Sequence, residues 1–462
     1  MLRLFNSKTI VYVFGWIVAA VFLCIYIRYG LHAWFWWDDL VFLDLYKDSF
    51  RWSELWSFNN FGRFVSRNIY WHVLISVFGL RSEPFFMVNV FLSVVNSMLV
   101  WLLVSNLISE KVFPFMCAVV YFIMYPTQVC VSWLAYEQHL VGHFFAVLFL
   151  LVFISWTFNE TKISYRHIAL LWAVYALGLF SNVLVISLLP AVLTILLLWP
   201  RPGKWQPLAL LVLMMVLTSV VFLFRLNHYL DTDAVYASEI SVAQLVNALK
   251  DYTLGRSGGL TMIIRAAAWA IFCIITAFFV KTRDRKGMLL VVLAFCFFVP
   301  PLFLAKLRQP HYGALTALFL SIVFAYVIYR LKLRTVWLLA MVLAHLYLAN
   351  FAGITGQLYR QQSAGLVARA FVQEVNDFTP PGIQQVYVKA VQPVPGMGPA
   401  CQALEDLWFH LGHGAAFRLF GRVEAGYIPC GRDAEPPGDS LALLIDADLH
   451  VKGVLAKRLP WR

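Results

Sequence analysis

Residues 168–199 read IALLWAVYALGLFSNVLVISLLPAVLTILLLW. At a rise of ~1.5 Å per residue this run is too long for one crossing of a ~30 Å hydrocarbon layer and short for two. Its flanks decide the matter. NETKISYRH (159–167) and RPGKW (201–205) are both basic, and short basic loops stay on the cytoplasmic side, so the run reads as two short helices meeting near Ser181 and Asn182. With both ends inside, KTRDRK (281–286), RLKLR (330–334) and the start MLRLFNSK (1–8) fall on the same side, and the sidedness of the whole chain is self-consistent.

Composition supports the frame in which that argument works. The 462-residue chain is 61% hydrophobic and 13% charged, with a mean hydropathy of +0.75, so many apolar side chains must face lipid. The fold class is an all-α polytopic membrane protein. Apolar runs near 10–27, 84–108, 112–132, 139–158, 168–181, 183–199, 207–226, 260–280, 287–305, 312–329 and 336–354 predict about eleven crossings. The net charge of +12 resides in short tracts between these runs, where it orients spans. Membrane lipids, not nucleic acid, are the partners it predicts. The first run, Ile10 to Ile27, exceeds a signal-peptide core and is followed by WFWWDD instead of a small-residue cleavage site, so it is read as a retained span.

The outer face then receives the loop at 28–83, a second loop containing WLAYEQH (133–139), a third at 227–259, the turn KLRQPHYG (306–313) and the tail. Residues 1–354 are read as a transmembrane domain and 355–462 as a small soluble α/β domain. In the tail, QLYRQQSAGLVARAFVQEVNDF has helical periodicity, PPG breaks it, and VYVKAVQ and LALLIDADL alternate as strands. Five cysteines lie in predicted spans as small packing residues. Cys401 and Cys430 lie in the tail, where an oxidising compartment allows a disulfide between them.

Within the first loop, WFWWDD (34–39) sets Asp38 and Asp39 where hydrocarbon meets water. Two readings are open. The aspartates cap a helix beneath an interfacial aromatic belt, or they serve a cleft covered by GRFVSRNIYWHVLISVFGL (62–80), an amphipathic stretch that returns to the membrane and carries Arg63 and Arg67 above them.

A short cytoplasmic start, one span, an outer loop opening on Asp-Asp, interfacial helices with a G-R-F element and many later spans together resemble the glycosyltransferase-C superfamily. YPTQVCVSWLAYEQHLVGHFFAVLFLL (125–151) is similar to the P-x6-W…E/R…L…F-x-L-L pattern of its protein-mannosyltransferase-like members, and KLRQPHYGAL (306–315) resembles their R-x-x-Y turn. The likeness covers most of residues 1–355.

It implies a bacterial inner-membrane enzyme, with the amino terminus cytoplasmic and the tail periplasmic. Such an enzyme moves a sugar, with inversion, from a polyprenyl-phosphate-linked donor to a glycan, lipid or protein acceptor. Asp38 or Asp39 would be the general base for the acceptor hydroxyl; the first acid of the pair is the family's usual base, whereas a helical wheel turns Asp39 inward with Trp36, Leu40 and Leu43. Lys306, Arg308, His311, Tyr312 and the intramembrane Arg265 would meet the donor phosphate; snorkelling to headgroups is the alternative for Lys306, Arg308 and Arg265. Glu137, His139, Arg63 and Arg67 would orient the acceptor. Glu137, His139 and His143 also have the spacing for a divalent metal such as Mg or Mn, although a reaction without cofactor is the default and hydrogen bonds inside the bundle are the better account of the histidines. The chain departs from the pattern at Ser181-Asn182, where relatives place a charged residue. A lipid-linked-oligosaccharide flippase or transporter, an O-antigen polymerase or ligase, and a non-catalytic envelope subunit are the rival readings.

Overall fold

The structure, a computed structural model, describes residues 7–48, 50, 63–158, 164–198, 205–230, 259–303, 310–349, 359–380, 383–390, 404, 406–409, 411, 414–421, 424–427, 441–445 and 451–455. The chain begins with α1 (Ser7–His32), followed by α2 (Asp38–Tyr46), a π-helical turn (Phe64–Ile69), α3 (Tyr70–Phe78) and α4 (Ser82–Ser105). Next come α5 (Val112–Ile123), α6 (Tyr125–Ser132), a 3-10 turn (Leu134–Tyr136), α7 (Glu137–Phe158) and α8 (Tyr165–Leu179). A second 3-10 turn (Val183–Ser187) leads to α9 (Leu188–Leu198), α10 (Trp205–Leu230), α11 (Gly259–Lys281), α12 (Arg285–Phe303), α13 (Ala314–Arg330) and α14 (Val336–Ala349).

The chain is a membrane protein. Among the described residues, four segments are long and apolar enough to cross a bilayer: Lys8–His32, Ser82–Ser105, Leu134–Trp156 and Gln206–Phe224. The pair α5 and α6, bent by 50°, makes a fifth if it is one span. Val183–Leu197, Ala270–Lys281, Ala314–Arg330 and Val336–Leu346 are apolar but shorter. The eleven crossings counted from sequence therefore exceed the helices that meet a spanning length. Side chains such as Trp16, Phe91, Leu197 and Phe224 stay exposed on the outside of the bundle, as lipid-facing residues do.

The run at 168–199 divides where its sequence suggests. Helix α8 ends at Leu179, and Asn182 caps the following turn by accepting from Leu184 N at 2.9 Å. The run 112–132, read as one span, is instead broken at Met124, which is extended (φ −64, ψ 143), just before Pro126. A proline lacks the N–H that would continue the helix. In lipid the freed carbonyls need donors, and they have them. Tyr26 Oη donates to Phe122 O at 2.9 Å and Gln128 Nε2 to Ile123 O at 2.6 Å, and at the far end of α6 Tyr29 Oη donates to Ser132 O at 2.8 Å.

The tail supplies α15 (Tyr359–Phe378), β1 (Gln385–Ala390), α16 (Ala415–Phe420), β2 (Glu424–Tyr427), β3 (Leu441–Ile445) and β4 (Val451–Leu455). The strands form one sheet in the order β2-β1-β3-β4, with β1 parallel to β2 and β3, and β4 antiparallel to β3. Its core is continuous with α2 and α3: Phe35, Leu40, Leu43, Trp71, Phe371, Phe417 and Leu443 belong to one buried cluster. The aromatic residues read as a lipid belt do other work. Trp34 and Phe35 are buried against Phe420, with ring centroids 5.1 and 6.1 Å away, and Trp37 packs on Phe409 at 4.1 Å. A Cβ at Gly365 would lie 2.7 Å from Trp34 O, so α15 can approach the WFWW backbone only with glycine there. Asp44 and Arg418 close the same junction at 2.6 Å.

Candidate functional site

The acidic pair sits at a turn that its own sequence makes tight. Trp37, just before α2, has φ 49 and ψ −117, a conformation a bulky side chain adopts only when its surroundings hold it there. Trp37 is held between Phe409 at 4.1 Å and Trp133 at 5.0 Å. The turn sends the two carboxyl groups in different directions. Asp39 is fully buried, with Leu40, Leu43 and Tyr46 on the same face of α2, as the helical wheel suggests. Its Oδ1 accepts from Ala135 N at 2.7 Å and its Oδ2 from Trp36 N at 3.4 Å. Burial pushes its carboxyl well above the usual carboxylate range, against the two N–H donors that favour the charged form; the nearby negative charges of Asp38 and Glu137 add to the rise. Asp38 is only half-buried. Asp39 is thus a tether between the start of α2 and the turn Leu134–Tyr136, and Asp38 is the more exposed of the two acids.

Glu137 begins α7 and is also fully buried. Its Oε1 accepts from Trp71 Nε1 at 3.2 Å and lies 4.0 Å from Arg67 Nε, while Oε2 has no hydrogen-bond partner among the described residues. Arg67 spreads over the Phe42 ring at 3.5 Å, a cation–π contact that anchors the π-helical turn onto α2. The same turn is fixed from behind. Ser66 Oγ donates to Ser181 O at 2.7 Å and Val65 N to Phe180 O at 3.1 Å, both carbonyls freed where α8 ends. The stretch therefore reaches Glu137 and α2 and docks on the break in 168–199.

Behind Glu137, His139 Nδ1 stands 3.0 Å from Asn182 Nδ2, and His143 Nδ1 stands 2.9 Å from Tyr121 Oη. Asn182 reaches α7 because residue 142 is glycine; a Cβ there would lie 2.6 Å from Asn182 Cβ. The position at which the chain departs from the resembled pattern is thus filled by a neutral cap that also orients a histidine. The turn Pro310–Gly313 comes to the same place: the Tyr312 ring packs edge-on to His139 at 5.2 Å.

The structure accordingly brings together Asp38, Asp39, Arg67, Glu137, His139 and Tyr312. Arg63 immediately precedes the π-helical turn that carries Arg67. Lys306 and Arg308 lie outside the described residues, as do Cys401 and Cys430, and the side chains of Arg265 and His311 are likewise outside them. Among the described residues no three His, Cys, Asp or Glu side chains stand close enough to hold a metal ion; Glu137, His139 and His143 turn to Trp71, Asn182 and Tyr121 instead. Sequence reasoning missed Trp71 and Asn182. Trp71 carried a signal, since it lies four residues after Arg67 on the covering stretch and so on the same helical face.

No family model matches the chain, and no curated protein does. Solved structures do. A crystal structure of the Archaeoglobus fulgidus oligosaccharyltransferase with zinc and sulfate is 12% identical with a TM-score of 0.46, covering 88% of this chain and 62% of that one. The same enzyme tethered to an acceptor peptide containing the NVT sequon gives 12%, 0.46, 90% and 64%. Archaeal oligosaccharyltransferase AglB from Archaeoglobus fulgidus, in complex with an inhibitory peptide and a dolichol-phosphate, gives 11%, 0.47, 89% and 64%. The chain spans less than two thirds of the length of these proteins. They have the glycosyltransferase-C fold that the sequence resembles.

Proposed function

We propose that this protein is an integral membrane glycosyltransferase that moves a sugar from a polyprenyl-phosphate-linked donor to an acceptor hydroxyl, with Asp38 as general base. The observation that carries the reading is the unequal placement of the two aspartates. A base must meet a substrate proton, and Asp38 is half-buried while Asp39 is fully buried with its Oδ1 on Ala135 N. The acceptor oxygen loses its proton to the Asp38 carboxylate as it attacks the anomeric carbon from the face opposite the phosphate, and the C–O bond to the phosphate breaks with inversion. That departure develops negative charge, which calls for cations and donors and no general acid. Lys306, Arg308, His311 and Tyr312 are assigned this role, with Arg265 from α11, while Arg63 and Arg67 help to orient the acceptor. Glu137 and His139 orient the acceptor between them. The acceptor is a glycan, a lipid or a protein.

The same reading sets the amino terminus and residues 201–205, 281–286 and 330–334 in the cytoplasm of a bacterial inner membrane, divides the chain at 354/355, and puts the tail on the periplasmic side with the site. Labelling of a cysteine at position 203 only from outside would reverse that sidedness. The chemical test uses purified protein and a synthetic polyprenyl-phosphate sugar, with release of polyprenyl phosphate as the readout. Asn keeps the size of Asp but cannot take the proton, so Asp38→Asn is expected to lose roughly 10² to 10⁴ in the chemical step while donor binding persists. Near-normal turnover of folded Asp38→Asn would overturn the assignment.

A further inference from the structure

A cavity lies outside the cluster just described, and it is lined by different residues. Its volume is about 340 Å³, at the lower end of the ~300 to 1,000 Å³ typical of small-molecule sites. It opens where α4 starts and α15 passes over it. Arg81 and Glu83 come from the start of α4, Arg369 and Gln373 from α15, and the floor is the aromatic pair Trp34 and Phe420.

Three observations bear on its occupant. First, the position is fixed: Ser82 begins one of the spanning helices, so Arg81 and Glu83 mark the level at which hydrocarbon gives way to headgroups. Second, the charges are uncommitted. Among the described residues Arg81, Glu83 and Arg369 have no ion-pair partner, although cations and an anion share one cavity wall. Third, the helices that lead to the cavity carry exposed apolar side chains, Val73 and Val77 on α3 and Leu366 and Val367 on α15, which suit acyl chains and not water.

We propose that this cavity binds the headgroup of a membrane phospholipid, its phosphate between Arg81 and Arg369 and, where the headgroup is ethanolamine, its ammonium against Glu83. Guanidinium groups bind phosphate through paired, charge-assisted hydrogen bonds, and basic side chains between helices are the usual recognition chemistry for lipid headgroups. The mixed signs of the wall favour a zwitterion over a purely anionic group. Because the cavity is walled by α4 on one side and α15 on the other, the bound lipid joins the bundle to the tail. This inference does not depend on the transferase reading.

The test uses the delipidated full-length protein in detergent, titrated with phosphatidylethanolamine, phosphatidylglycerol, diacylglycerol of the same acyl chains, or inorganic phosphate, followed by thermal stability and by native mass spectrometry. Phosphatidylethanolamine is expected to stabilise most, phosphatidylglycerol less, and diacylglycerol and free phosphate not at all. At ~1 kcal/mol per basic side chain near a lipid surface, Arg81→Gln or Arg369→Gln alone should weaken phosphatidylethanolamine about fivefold, and the pair about thirtyfold. Glu83→Gln should erase the preference for ethanolamine over glycerol. Both arginines are exposed, so the variants should fold, and unchanged far-ultraviolet circular dichroism checks it. Binding by the double variant within twofold of the wild type, or equal stabilisation by diacylglycerol or by inorganic phosphate, would overturn the proposal.

Discussion

Helix α7 carries two polar layers that solve the problem of burial differently. At its first residue Glu137 faces Arg67 and Trp71, and Asp39 lies near enough for the two acids to feel each other. Six residues later, His143 meets Tyr121 and the His139 ring, with centroids 6.3 Å apart, while Asn96 Nδ2 donates to Leu140 O at 2.9 Å. The outer layer is built of charges and the inner one of neutral groups. An ion in hydrocarbon costs several kcal/mol, so charge is kept where counter-charges converge, and hydroxyls, amides and imidazoles join helices where none do. The difference separates a layer equipped for chemistry from one equipped for packing, and mutants should respond accordingly.

The largest expected effect falls on the outer layer. Glu137→Ala leaves the Arg67 charge and the Trp71 N–H buried without their partner, and should cost about 3 to 5 kcal/mol of stability in micelles; the double variant Glu137→Gln with Arg67→Met should recover most of it. A single variant as stable as wild type would mean that the 4.0 Å pair contributes no holding force. Asp39 should come next. Asp39→Ala strands Ala135 N–H and should lose about 1 to 3 kcal/mol. For Asp39→Asn the sign depends on pH. A carboxyl whose folded-state value is raised contributes stability at low pH that is lost as pH rises through that value. The wild type should therefore fall in stability relative to Asp39→Asn as pH increases, and parallel thermal-unfolding curves across pH would show that the burial penalty on the carboxyl is not felt. Activity of Asp39→Asn should drop without vanishing.

The inner layer should matter less. His143→Phe removes one neutral hydrogen bond and an Nε2 that has no partner among the described residues, so a loss of about 0.6 to 1.5 kcal/mol with activity retained is expected. Abolished transfer in a stable His143→Phe protein would move His143 into the chemistry and erase the distinction between layers. Smallest of all is Arg418→Ala. Its ion pair with Asp44 is partly exposed, and such pairs contribute about 0.2 to 1 kcal/mol, less at high salt.

Those layers were legible in unequal measure. The break near Ser181 and Asn182 could be read because charge on both flanks fixes parity, and parity is a property of the linear sequence. The buried face of α2 could be read because 3.6-residue periodicity puts Asp39, Leu40 and Leu43 together. The roles of Trp34, Phe35 and Trp37 could not. An aromatic cluster after a span has the same composition whether it faces headgroups or a protein surface, and its partners Phe409 and Phe420 lie in a tail whose position no local pattern encodes. The kink at Met124 was hidden for a related reason: the apolar run is continuous through Pro126, so hydropathy reports one span where backbone chemistry makes two pieces. Tyr312 was found through its turn, but its contact with His139 joins segments far apart in the chain and appears only in three dimensions.

The docking of α16 on α2 also sets a clock. Asp44 and Arg418 are 374 positions apart in the sequence, and at translation rates of about 5 to 20 residues per second roughly 20 to 75 s pass between the synthesis of one and the other. Until then the Trp37 turn lacks Phe409 and Phe420, the surfaces that hold it. The Asp38-Asp39 turn is therefore among the first parts of the protein to be synthesised and among the last to have its packing partners complete.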